Sequence, residues 1–245
     1  MEGQPGCDPD PAGDLQAAQL SLTAEVRRIL RGPADRGAPL AFAVVDELDL
    51  LDWKRRVSEL YTAARSAADP RDGWELWRRG RAELFATHPQ SPVPEAVRGA
   101  YDGPHVFDYD PAWRLLAEVV PAERREFELP SSDGGTMVFA RFAFARVEDI
   151  DLELYWLEGY GGGVFLPFAD ATSGTETYGA GRYLLDTVKG ADLGAEGDRL
   201  VLDFNFAYQP SCSYDPRWLC PLAPRANRIS LPVPAGERLV AERAG

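Results

Sequence analysis

From residue 136 onward the chain repeats one pattern: a short alternation of apolar side chains, then a glycine-rich break. In TMVFARFAFARV (136–147), Val138, Ala140, Phe142 and Phe144 fall on one side and Phe139, Arg141, Ala143 and Ala145 on the other. A period of two is the signature of a strand. DLELYWL (151–157), GVFLPF (163–168), DRLVLDFNFAY (198–208) and RISLPVP (228–234) continue the series. No helical pattern intervenes between them, which disfavours a doubly wound sheet and predicts antiparallel connections.

The first hundred residues read differently. Residues 1–14 are rich in Gly, Pro and Asp and are expected to be disordered. Helical spacing runs through 15–31, 46–67 and 71–86, with Trp53, Val57, Leu60 and Tyr61 on one face and Trp74, Trp77 and Leu84 near another stripe. The short apolar run 39–45 suits a strand or a buried helix. The expected fold is α+β and mainly antiparallel β (a roll, barrel or sandwich): a tail (1–14), a helical region (15–100) and a β domain (101–245).

Charge narrows the partners. With 26 basic and 39 acidic residues the net charge is −13. That sign argues against binding a nucleic-acid backbone or an anionic membrane surface. The first residues lack a basic start and an apolar stretch, and no run is long enough to span a bilayer, so the expected compartment is the cytoplasm.

Three segments concentrate capable side chains. The first, DATSGTETYGAGRYLLD (170–186), places Asp170, Thr172, Ser173, Glu176, Thr177, Tyr178 and Arg182 among glycines. It lacks the spacing of a phosphate-binding or dinucleotide-binding loop. Either Glu176 pairs with Arg182, or Arg182 anchors a carboxylate or phosphate while Glu176 or Asp170 serves as base. In the second, a strand over 199–208 would set Asp203 and Asn205 about 7 Å apart on one face. The third, 207–227, carries Tyr208, Cys212, Cys220 and Asn227. Its cysteines suit free thiols in a reducing compartment, then a local disulfide, then metal binding or nucleophilic chemistry.

FDYDPAWR (107–114), LPFADATSGTETYGAGRYL (166–184), LDFNFAYQPSCSY (202–214), CPLAPRANRI (220–229) and PAGE (234–237) together resemble a bacterial family known as domain of unknown function 1684. WELWRRGRAELFATHPQSP (74–92) extends the likeness. The resemblance implies that Asp170, Thr172, Ser173, Gly174, Glu176, Thr177, Tyr178, Gly181 and Arg182 match a first signature. Asp203, Asn205, Tyr208, Pro210 and Cys212 match a second, and Cys220, Pro221, Pro224 and Asn227 a third. Gln209, Ala223 and Ala226 depart from the family's usual Asn, Pro and Glu. The resemblance implies candidate positions but no reaction.

Three functions fit these residues. One is a small-molecule enzyme, a carboxylate-based hydrolase or isomerase, with Asp170, Glu176 and Asp203 catalytic. Arg182, Asn205, Thr172, Ser173, Tyr178, Tyr208, Cys212 and Asn227 would bind the ligand. Another is a non-catalytic module using the same cavity. The last is a polar network that only pins the loops. The residues leave any cofactor open. A hard cation on Asp and Glu fits the first function better than zinc or iron, since histidines are not clustered.

Overall fold

The apolar positions of DWKRRVSELYTAARS recur every three or four residues, and they wind into the helix α1 (Ala41–Ser66). Val57, Tyr61 and Ala64 are buried, with Trp53 and Leu60 packed beside them. Asp69 then starts α2 (Pro70–Thr87), accepting a hydrogen bond from the Arg71 amide at 2.8 Å, with Pro70 in the first turn. Trp74, Trp77, Leu84 and Phe85 form its buried face. The helices touch at Gly73, where a Cβ would lie 2.6 Å from the Ala64 carbonyl oxygen. The structure, a computed structural model, describes residues 41–159 and 161–239. The expected tail 1–14 with Cys7 and the expected helix 15–31 lie outside them. Among the described residues no helix is long and apolar enough to cross a membrane.

Seven strands make one antiparallel sheet: β1 (Arg114–Pro130), β2 (Thr136–Val147), β3 (Ile150–Leu157), β4 (Gly163–Phe168), β5 (Arg182–Asp186), β6 (Ala195–Glu196) and β7 (Arg199–Asp203). Their order is β5-β4-β3-β2-β1-β7-β6. Neighbouring residues serve different cores, as side chains on opposite faces of a strand do. Tyr155, Phe165 and Tyr183 join the aromatic core shared with α1 and α2. Leu154, Leu166 and Leu184 join a second core closed by Phe204, Val233 and Ala235. The α+β class and the antiparallel sheet therefore stand as expected.

Several details differ from the sequence pattern. The single alternation expected for 136–147 is broken by a register shift between Arg141 and Ala143, and a bulge inserts a residue that interrupts facing. β5 escaped the period-two test because all five of its residues are buried. β1 was hidden because its middle is exposed and polar, and its register with β2 shifts after Pro121. The expected strand 228–234 forms only one bridge, Ala169 to Arg228, since Pro232 and Pro234 cannot donate to a ladder. The expected strand 199–208 stops at Asp203 and turns into a 3-10 helix over Phe204–Phe206.

Candidate functional site

Asp170 follows β4 and is buried, as is Arg182 at the start of β5. The Asp170 carboxylate accepts from Thr172 Oγ1 at 2.9 and 3.0 Å, from Ser173 Oγ at 3.2 Å and from the Val233 amide at 2.6 Å. Arg182 Nη2 lies 3.5 Å from Asp170 Oδ1 and donates to the Val233 carbonyl at 3.0 Å. Its Nη1 donates to the Ala235 and Glu237 carbonyls. Burial pulls the guanidinium down to about 10, against the charges of Asp170 and Glu237. Of the two partners that the network reading allows Arg182, Glu176 or Asp170, the structure takes Asp170. Glu176 is exposed.

Asn227 is equally committed. Its Oδ1 accepts from the Glu153 amide at 2.8 Å, and its Nδ2 donates to the carbonyls of Glu153 at 3.0 Å and Pro167 at 2.8 Å. Gly181, between these groups, has φ +97°, and a Cβ there would stand 2.4 Å from the Phe168 carbonyl oxygen. Gly181→Ala is expected to cost about 2 kcal/mol or more. Urea unfolding measures it, and an unchanged midpoint would contradict the close approach.

Asp203 ends β7 and caps the turn that follows. Its Oδ1 accepts from the Asn205 amide at 3.0 Å and from Asn205 Nδ2 at 2.8 Å. The two residues are thus bonded rather than separate along one strand face, because a short side chain that caps a turn competes with the ladder. Asn205 also holds Asp110, accepting from its amide and donating to its carbonyl. Asp203 Oδ2 has no hydrogen-bond donor among the described residues, and its nearest cation is Arg114 Nε at 4.0 Å. Burial pushes the Asp203 carboxyl up to about 6, although the Asn205 bonds and Arg114 oppose the rise.

A cleft of about 300 Å³ opens over this residue, lined by Asp203, Arg114, Glu196 and Arg65 among others. Arg114 Nη2 bonds Glu196 at 2.6 Å. None of residues 170–182 or 220–227 lines the cleft. Of the three sequence segments, only the second reaches this cleft, through Asp203 and Phe206.

The model for the family described as protein of unknown function (DUF1684) matches residues 99–238, more than half of the chain. The chain belongs to the DUF1684 family. The solution NMR structure of an uncharacterized protein from Haloarcula marismortui is similar at 33% identity, over 70% of this chain and 97% of that one, with a TM-score of 0.49. No curated protein matches.

The remaining candidates of this DUF1684 chain gather elsewhere. Tyr208 is buried, and its hydroxyl donates to Asp186 Oδ2 at 3.3 Å. Tyr178 is half-buried with its hydroxyl 3.9 Å from Cys212 Sγ. Burial and the neighbouring Cys212 push it up to about 12. Near Tyr208 lie further charged residues. Arg81 of α2 bonds Glu237 Oε1 at 2.5 Å, and Lys189 bonds Asp186 at 3.0 Å. Arg78, Arg79 and Arg81 flank the Trp74–Trp77 stripe in the sequence, a pattern that suits solvated arginines or one turned inward to an anion, and Arg81 is the one that turns inward, to Glu237. Arg114, Glu196 and Arg65 left no such signal, because each is an ordinary charged residue until the sheet closes. Among the described residues no group of three or more His, Cys, Asp or Glu is placed to hold a metal ion.

Proposed function

We propose that this DUF1684 chain binds a small polar molecule in the Asp203 cleft, with Asp203 as the proton-exchanging group. The observation that carries this is the unbonded Oδ2 of a buried carboxyl lining a solvent-open cleft. A cavity of that size suits a small ligand. Arg114 and Arg65 favour an anionic end, and Asp203 favours a hydroxyl, amide or amine at the other. A carboxyl near about 6 exchanges protons close to neutral pH, which suits hydrolase-type or isomerase-type acid–base chemistry.

The 170–182 and 220–227 segments support a different role. Asp170, Thr172, Ser173 and Asn227 have protein partners for their binding groups, and both terminal nitrogens of Arg182 are bonded, its Nε alone being buried without a partner among the described residues. Their reading here is the polar network that pins the loops, not ligand contact.

Two measurements test the cleft. Hydroxy and amino carboxylic acids are titrated against the chain by NMR; binding is expected in the native protein and lost in Asp203→Asn. Retained binding in the variant would overturn the assignment. The second is pH-dependent unfolding. Between about pH 4 and 6 the folded chain holds the Asp203 proton more tightly than the unfolded chain does. This group's contribution is therefore greatest below pH 4 and falls as pH rises through about 6, by roughly 3 kcal/mol at most. Asp203→Asn should remove that slope.

A further inference from the structure

The second polar region is a crevice between α1 and the loops that follow β5 and β7. Its outer part, a cavity of about 100 Å³, is lined by Trp53, Lys54, Lys189, Ser211, Trp218 and Cys220. Trp53, Lys189 and Ser211 continue into a smaller inner space beside Arg81 and Tyr208. The Trp218 indole N–H is buried without a partner among the described residues, as is the Tyr61 hydroxyl in the inner space. Lys54, Lys189 (itself bonded to Asp186) and these unpartnered donors give the crevice groups that would meet an anionic end of a guest.

Cys220 lines this crevice, in contact with Cys212. Cys212 and Cys220 are free thiols, and the Cys212 amide donates to Cys220 Sγ at 3.4 Å. That amide is two bonds from Cys212 Cβ, which places the two side chains side by side. We propose that Cys212 and Cys220 form a reversible dithiol–disulfide site that reduces carboxylate-bearing, low-molecular-weight disulfides admitted through the crevice.

The steps balance. The Cys220 thiolate attacks one sulfur of RS–SR; that bond breaks, RS⁻ leaves and takes a proton, and Cys220 carries a mixed disulfide. Cys212 releases its proton to water, attacks Cys220 Sγ and expels the second RS⁻, which is protonated in turn. Two protein thiols are oxidised to one disulfide, and one small disulfide is reduced to two thiols. Cys220 acts first because it, and not Cys212, lines the crevice, although it is the more buried of the two thiols. Contact with Cys212 holds the Cys220 thiol below the ordinary range despite its burial, with further help from the Cys212 amide and Lys189. The same contact pushes Cys212 up. Once Cys220 is capped its charge is gone, and Cys212 is freed to ionise as the resolving thiol.

The test incubates the full chain with oxidised glutathione, then applies acid quench and peptide mass mapping. The native chain should lose two hydrogens through a Cys212–Cys220 link. Cys212→Ser should accumulate glutathione on Cys220, whereas Cys220→Ser should modify Cys212 about tenfold more slowly or less. Absence of the link in the folded native chain would overturn the proposal, as would equal modification of Cys212 in Cys220→Ser. Should either variant fail to fold, the native chain still decides through alkylation of Cys220 by iodoacetamide against pH. A rate already at its plateau by neutral pH is expected; a rise centred near the free-thiol value of about 8.5 would overturn it.

Discussion

Arg182→Met is expected to lower the unfolding free energy by roughly 3–5 kcal/mol. Arg182 is 1% exposed. Its removal leaves the Asp170 carboxylate buried without its cation and takes donors from the Val233, Ala235 and Glu237 carbonyls. Most of the cost is the uncompensated charge, so adding Asp170→Asn should return part of the lost stability although it deletes a second native group. Urea unfolding of the two single variants and the double variant measures this. If Arg182 instead anchored a ligand, the free protein would lose little stability, and a loss under about 1 kcal/mol would contradict the latch.

Glu237→Ala is expected to cost a similar amount, roughly 3–5 kcal/mol. Glu237 is fully buried and accepts from Arg81, from the Gln209 amide at 2.7 Å and from the Tyr214 hydroxyl at 3.1 Å. Arg81 lies over the rings of Phe85 at 4.4 Å and Tyr208 at 4.7 Å, so without Glu237 a cation would be left among aromatic rings. Glu237→Gln should cost less, because it keeps the shape and a neutral acceptor. A thermodynamic cycle with Arg81→Met measures the coupling; coupling near zero would show that the pair does not tie α2 to the segment after Val233.

This pair also marks the limit of what local pattern can convey. Arg81 and Glu237 are 156 positions apart, and no spacing rule links them. Arg114 and Glu196 over the Asp203 cleft are 82 apart. The sequence pointed to Asp203, Asn205, Cys212 and Cys220 because unusual polar or thiol groups sit among aromatics and prolines. It could not supply their counterions, which are common charged residues on other strands and helices.

The elements divide along a similar line. α1, α2, β2 and β3 were legible because their apolar positions recur with a helix or strand period, whereas β4 was legible as a short apolar run between glycine-rich breaks. β5 is buried throughout and β1 is exposed in the middle, so neither leaves a period of two. Asp203 read as a strand residue because nothing local shows that its side chain takes the Asn205 amide in place of a ladder bond. Helix-forming stretches, the antiparallel class and the polar segments follow from short-range chemistry, where neighbours in sequence are neighbours in space. The separation of those segments into a buried latch, a carboxyl-floored cleft and a thiol crevice does not. It depends on which distant groups the sheet order brings within a few ångströms, and on the burial that then sets their charge.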